Sequence, residues 1–271
     1  MHSISFTLIQ SSLYWEDKQA NLDMFAEKIR GLQQPTHVII LPEMFSTGFS
    51  MKPEILSEDM NGQTVEWMKR IAQEKKAIIT GSIIIKEDEK FYNRLIWMLP
   101  NGKNGFYDKR HLFAFAEEDK HYTSGTKRFI ASVNGWKINL MVCYDLRFPV
   151  WARQSPPLHE ERGLGGEALE YDALIYVANW PQKRSIAWNT LLRARAIENQ
   201  CYVIGVNRVG EDGNGIHYTG GSTVIDPLGE ILYYKEAEED IFTISLDKEH
   251  LQTLRNKFPF LKDADEFEII T

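Results

Sequence analysis

The feature that most constrains this chain is a recurrence, from one end to the other, of short apolar runs rich in β-branched and aromatic residues and bounded by turn residues. Such runs fall at 4–10, 38–41, 77–85, 93–99, 139–143, 173–178, 202–206, 222–225, 230–233 and 241–246, and each reads as a strand. Helical periodicity appears between them. Segment 21–32 sets Leu22, Phe25, Ile29 and Leu32 on one face, and 64–75 does the same with Val65, Met68 and Ile71. Segment 185–200 carries Trp188, Leu191 and Leu192 behind Ser185 as N-cap, and 247–256 turns Leu251 and Leu254 inward behind Asp247. Strands and helices intermixed over the whole length predict one α/β domain, residues 1–271, with helices covering sheet faces. The 271 residues can bury most of their apolar surface without disulfides or metal. With 43% apolar and 25% charged residues the composition is ordinary globular, which excludes a disordered, collagen-like or coiled-coil chain. The one compositional break, 154–170, holds Pro156-Pro157, Gly163, Gly165-Gly166 and several Glu residues, and reads as a surface insertion.

The formal charge is −7, from 31 basic and 38 acidic residues, and no basic run occurs. Nucleic-acid binding and attachment to anionic membranes are therefore poor expectations, since both need clustered Lys and Arg. Two cysteines, Cys143 and Cys201, cannot form a disulfide framework and fit a reducing compartment. The N-terminal stretch alternates apolar and polar residues and is no signal peptide, and no apolar run approaches the ~20 residues of a membrane span. The expectation is a cytoplasmic protein. The seven histidines show no ligand spacing, there is no C-x-x-C, and no P-loop or G-x-G-x-x-G follows a strand, so neither metal nor nucleotide cofactor is expected.

Candidate chemistry sits where apolar runs end. Cys143 closes Asn139-Leu140-Met141-Val142 and precedes Tyr144-Asp145-Leu146-Arg147-Phe148-Pro149. A strand-end cysteine is either a buried small hydrophobe or a nucleophile, and strand ends of α/β sheets are where sites form. Cys201, among apolar residues at a helix-to-strand junction, reads as a core thiol. Glu43 follows Val38-Ile39-Ile40-Leu41-Pro42; it is a solvated loop residue or a carboxylate whose apolar surround makes it a usable base. The doublet Lys109-Arg110 is a solvated surface feature or a source of fixed positive charge, and Glu118 lies in an acidic run seven residues before Gly125.

In order, Leu41-Pro42-Glu43-Met44-Phe45, Tyr107-Asp108-Lys109-Arg110-His111-Leu112 and Val142-Cys143-Tyr144-Asp145-Leu146-Arg147-Phe148-Pro149 resemble the three signature blocks of the nitrilase superfamily of carbon–nitrogen hydrolases. Asn179-Trp180-Pro181, Arg193-Ala194-Arg195-Ala196-Ile197-Glu198-Asn199-Gln200 and Gly220-Gly221-Ser222-Thr223-Val224-Ile225-Asp226-Pro227-Leu228-Gly229-Glu230 extend the resemblance over almost the whole chain. The spellings through Trp151, at Ala178–Pro181, at Lys257-Phe258-Pro259 and at Asp263-Ala264-Asp265-Glu266-Phe267 resemble the bacterial omega-amidase branch, the 2-oxoglutaramate amidases, although 154–170 is longer than that branch shows.

The resemblance implies a four-layer α-β-β-α sandwich, a homodimer, and Glu43, Lys109 and Cys143 as catalytic residues with Glu118 as an additional active-site glutamate. The residue types suit the chemistry. A thiolate is a far better nucleophile than a thiol, a carboxylate can take the thiol proton, and a fixed cation can hold the charge that develops on the carbonyl oxygen. The implied substrate is a small amide, a 2-oxo dicarboxylic acid monoamide, whose free carboxylate needs a cation. Arg147 and Arg184 are the candidates; Arg147 could instead brace its loop through Asp145 or Asp108. Tyr144 is expected to offer its backbone N–H to the oxyanion, and Phe45, Phe113, Tyr122 and Trp180 to wall the pocket. His111 and His121 are expected to be structural or substrate-lining rather than a base. The rival readings are another carbon–nitrogen hydrolase acting on carbamoyl or aliphatic amides, and a non-catalytic binding protein on the same scaffold.

Overall fold

Strand β1 (Ser3–Gln10) serves two cores at once. Ile4, Phe6 and Leu8 join one apolar cluster and Ile9 the other, because successive side chains of a strand point to opposite faces. The computed structural model describes residues 3–154, 170–265, 267 and 269, and the same alternation recurs through its first half. After α1 (Lys18–Arg30), strand β2 (Val38–Ile40) sends Val38 and Ile40 one way and Ile39 the other. The short α2 (Pro53–Leu56) and α3 (Gln63–Lys75) precede the hairpin of β3 (Ile78–Glu87) and β4 (Lys90–Met98), whose Leu95 and Trp97 oppose Ile96 and Met98. Edge strand β5 (Asn104–Asp108) follows the turn at Gly102 (φ +81°).

These strands form a six-stranded sheet in the order β13-β1-β2-β3-β4-β5, with β1, β2 and β3 parallel. Its outer face is covered by α1 and α3 through Leu22, Phe25, Ile29, Val65, Met68 and Ile71. After α4 (Glu118–His121), the second sheet is built from β6 (Ile130–Val133), β7 (Trp136–Val142), β8 (Ala173–Val177), β9 (Tyr202–Val206), β10 (Val209–Glu211) and β11 (His217–Ile225). Its order is β10-β11-β9-β8-β7-β6, with β7, β8 and β9 parallel and β12 (Ile231–Glu236) added on β11. Helix α5 (Pro149–Ala152) follows the turn after β7, and α6 (Ser185–Asn199) packs Trp188 and Leu192 onto Gly205 of β9. Strand β13 (Asp240–Asp247) returns to pair with β1, and α7 (Lys248–Lys257) ends the regular part of the chain. The inner faces of the two sheets share one core, which completes the four-layer α-β-β-α arrangement.

Several boundaries differ from the expectation for local reasons. Helix α1 starts at Lys18 because Asp17 caps it, accepting from Ala20 N at 3.0 Å. Ser185 is the first residue of α6 rather than its cap, since a 3₁₀ turn over Gln182–Arg184 leads into the helix. Asp247 caps α7 as its position predicts, accepting from Glu249 N at 2.8 Å. Strands β5, β6 and β10 were not foreseen: all three are sheet edges, so they need no continuous apolar run. Apart from its end residues Gln154 and Glu170, segment 154–170 lies outside the described residues. Among the described residues no helix is long and apolar enough to cross a membrane.

Candidate active site

Strand β2 of the first sheet and the parallel pair β7 and β8 of the second deliver polar residues just beyond their C-terminal ends. Glu43 follows β2, Cys143 follows β7, and Asn179 follows β8. Lys109 continues from β5, and Glu118 opens α4. Glu43, Glu118 and Lys109 are almost completely buried. The Lys109 ammonium reaches Glu43 Oε1 at 3.0 Å and the two oxygens of Glu118 at 3.0 and 2.9 Å. Asn93, in β4, donates Nδ2 to Glu43 Oε1 at 2.8 Å and to Glu118 Oε1 at 3.3 Å. The other Glu43 oxygen accepts Asn179 N at 2.8 Å, and Asn179 Nδ2 donates to the Glu43 carbonyl at 2.6 Å. The Glu118 oxygen Oε2 also accepts Phe113 N at 2.6 Å. The face of Phe49 lies 5.1 Å from the ammonium.

Cys143 sits at the first position of a 3₁₀ turn, Cys143–Arg147, in the left-handed region at φ +45°. For a residue with a Cβ this conformation is costly and persists only where surrounding bonds hold it. Here Asp145 does so, accepting Val142 N at 3.0 Å. The thiol is 9% exposed and its sulfur lies 4.0 Å from the Asn179 carbonyl oxygen.

The electrostatics follow from burial and from these neighbours. Burial and then the adjacent Glu43 carboxylate push the Cys143 thiol well above its ordinary range, against the opposing pull of Lys109. The resting sulfur is therefore a thiol, and a proton acceptor must act as it attacks. Burial alone would lower the Lys109 pKa, but the Glu118 and Glu43 carboxylates outweigh it, so the ammonium is held charged. Burial raises Glu118, with Lys109 opposing and Glu43 adding to the rise.

Cys143 and Lys109 open onto a cavity of about 510 Å³ whose lining includes Phe113, Tyr144, Arg147, Asn179, Trp180 and Arg184. The Arg147 guanidinium lies 5.2 Å over the Trp180 ring, and that of Arg184 lies 4.9 Å over Phe113. Neither forms a salt bridge among the described residues: Asp108 is taken by Arg94 and Asp145 by His111 and Tyr107, so Arg147 does not brace its loop through either. On another wall Glu16 pairs with Lys52 at 2.8 Å and accepts the Ser50 hydroxyl at 2.7 Å.

Two expected wall residues are elsewhere. Phe45 faces the outer helix layer, with ring centroids 5.6 Å from Phe25 and 5.7 Å from Trp67. Phe45 belongs to the outer cluster that also holds Ile39 and Leu41, whereas Met44 before it, at φ +43°, packs in a separate cluster with Ile84 and Tyr122. Tyr122 is buried beside Met44 and Ile84 and does not reach the cavity; its hydroxyl donates to the Ser50 carbonyl at 2.6 Å, behind the wall. Asn93 and Asn179 were not singled out from the sequence. Asn93 left a signal: it shares strand parity with Leu95 and Trp97, so a polar side chain stands at a core-facing position.

A buried cysteine, two carboxylates and an ammonium gathered between the sheets of an α-β-β-α sandwich suit a carbon–nitrogen hydrolase. The chain belongs to that family, whose match covers residues 6–256. It is 44% identical to Omega-amidase YafV of Escherichia coli (strain K12), over 99% of this chain and 100% of that one. To the 2-oxoglutaramate amidase of Bacillus subtilis (strain 168) it is 30% identical, over 83% of this chain and 84% of the relative. Among solved structures, the carbon–nitrogen hydrolase superfamily protein XC1258 of Xanthomonas campestris, which carries an arsenic adduct in its active site, superposes with a TM-score of 0.93 at 41% identity, covering 99% and 100% of the two chains.

Proposed function

We propose that this chain is a thiol amidohydrolase of the omega-amidase type, releasing ammonia from 2-oxo dicarboxylic acid monoamides, 2-oxoglutaramate first and 2-oxosuccinamate second. The observation that carries this reading is that one cavity is lined by Cys143 and Lys109 and also by two guanidinium groups, Arg147 and Arg184, that no carboxylate of the described residues neutralises. The first pair suits an amide carbonyl. The second suits the free carboxylate at the far end of the same small molecule. The named activities of the relatives from Escherichia coli and Bacillus subtilis support the same substrate class.

In this mechanism Glu43 accepts the Cys143 proton as sulfur bonds to the carbonyl carbon. The carbonyl π electrons move to oxygen, where the Lys109 charge and the Tyr144 N–H stabilise them; losing one such donor commonly costs ~10²–10³ in rate. The C–N bond then breaks, Glu43 returns its proton to nitrogen, and ammonia departs from a thioester. Water gives a proton to Glu43 and attacks the thioester carbon, the C–S bond breaks, and the sulfur recovers its proton as the acid leaves. Glu118 holds the ammonium in place through both of its carboxylate oxygens. The same reading carries a homodimeric cytoplasmic enzyme that removes amides left by glutamine transamination, as in methionine salvage.

A panel of amides assayed for ammonia release tests the assignment. Turnover of 2-oxoglutaramate, abolished in Cys143→Ala and Cys143→Ser, is the expected result, with a thioester-mass adduct on Cys143 in intact-mass spectra. Turnover of a carbamoyl compound with 2-oxoglutaramate untouched would reassign the substrate, and unchanged activity in either cysteine variant would remove the nucleophile.

A further inference from the structure

The mechanism leaves unexplained how two segments from different sheets keep their spacing, and one buried carboxylate outside the catalytic cluster accounts for it. Asp145 is fully buried and takes four donors. Its Oδ2 accepts Val142 N at 3.0 Å and the Tyr107 hydroxyl at 2.8 Å; its Oδ1 accepts His111 N at 2.9 Å and His111 Nδ1 at 2.8 Å. Val142 immediately precedes the nucleophile, while Tyr107 and His111 flank Lys109 two residues away on either side. One side chain therefore binds the nucleophile turn and both shoulders of the lysine segment. The imidazole is fixed from its face as well, stacked on Phe148 with centroids 3.9 Å apart and planes 7° apart.

We propose that the His111–Asp145 hydrogen bond is a positioning device for the reaction assigned above, on which the proposal rests: it sets the distance between the Cys143 sulfur and the Lys109 ammonium. Of the four donors, only His111 Nδ1 belongs to a side chain on the lysine loop itself, and its contact with Phe148 closes a second link to the nucleophile turn. Histidine does two separable things here. Its ring packs on Phe148, and its Nδ1 donates to Asp145.

Two substitutions separate them. His111→Phe keeps a stacked ring and removes the donor; His111→Asn places an amide donor near the Nδ1 position and removes the ring. Steady-state kcat and KM for 2-oxoglutaramate, melting temperature, and the pH dependence of Cys143 alkylation by iodoacetamide, followed by intact mass, are measured for each. A displaced reacting group costs on the order of tenfold to a hundredfold in rate. His111→Phe is expected to lose about tenfold or more in kcat with KM within about twofold. Its alkylation profile should move to higher pH, because the ammonium that opposes the rise in thiol pKa is no longer held in place. His111→Asn is expected to melt lower yet keep kcat within about threefold of the parent and its alkylation profile unshifted. Wild-type kcat and alkylation in His111→Phe, or equal impairment of the two variants, would overturn the positioning role. The alkylation profile does not depend on which amide is hydrolysed, so a wrong substrate and a wrong positioning role give different results.

Discussion

Replacing Lys109 by methionine isolates the cost of the buried charge cluster. The ammonium stands between two carboxylates at 2.9 and 3.0 Å, with all three groups withdrawn from water. Methionine fills a similar volume but leaves Glu43 and Glu118 facing each other without a cation. Removing one partner of a buried ion pair typically costs about 3–5 kcal/mol. With an unfolding entropy of about 2.1 cal/mol/K per residue, the 271 residues of the chain convert that to a fall in melting temperature of roughly 5–9 °C. The sign of the pH dependence follows. One carboxyl of the variant must hold a proton that the unfolded chain releases above about pH 4.3. The native state then binds more protons than the unfolded state, so stability falls as pH rises, and the deficit against the parent is smaller near pH 5 than near pH 8. Adding Glu118→Gln removes the repulsion and leaves Glu43 with its Asn93 and Asn179 donors, so the double variant should regain about 1 kcal/mol or more, roughly 2 °C. Differential scanning calorimetry at the two pH values measures all three proteins. A Lys109→Met variant melting within about 2 °C of the parent at both pH values, or a double variant less stable than the single one, would mean that the ammonium does not hold the two carboxylates against their repulsion.

The remaining expectations probe groups around the cluster. Phe45→Ala should cost about 3–5 kcal/mol by chemical denaturation, while kcat/KM per folded molecule stays within about threefold, because the ring belongs to the outer helix layer. Burial raises Cys143 and pushes Cys201 up to about 12, so iodoacetamide should modify Cys143 slowly at pH 7 and faster with rising pH, and should leave Cys201 untouched until the chain is denatured. Arg147→Ala and Arg184→Ala should each raise KM about tenfold or more for a carboxylate-bearing amide and leave a neutral amide almost unaffected, measured by ammonia release.

Much of the site was legible because its residues end apolar runs. Glu43 after Ile39-Ile40-Leu41-Pro42 and Cys143 after Leu140-Met141-Val142 stand out in sequence because each is the first chemically active side chain after a run of buried apolar residues. Lys109 and Glu118 were different. Each sits in a charged stretch whose composition matches solvated surface, and only the family resemblance singled them out. Phe45 lies two residues from Glu43, but nearness in sequence does not fix direction, and its ring packs with Ile39 and Leu41 in the outer cluster. Asn93 reads in sequence as the first residue of the run 93–99, where a polar residue is ordinary; only the longer observed strand, Lys90–Met98, makes it an interior, core-facing position. Edge strands β5, β6 and β10 leave little trace in the sequence, since pairing on one side alone demands little of their side chains.

Glu43, Asn93, Lys109 and Glu118 come from the first sheet or the loops that leave it, whereas Cys143 and Asn179 come from the second. Neither half holds a working centre. During refolding, recovery of helix and strand signal should therefore run ahead of recovered turnover, with the lag reporting the docking of one half upon the other. By the same logic, an agent that loosens this junction would silence the protein while most of its backbone hydrogen bonds survive.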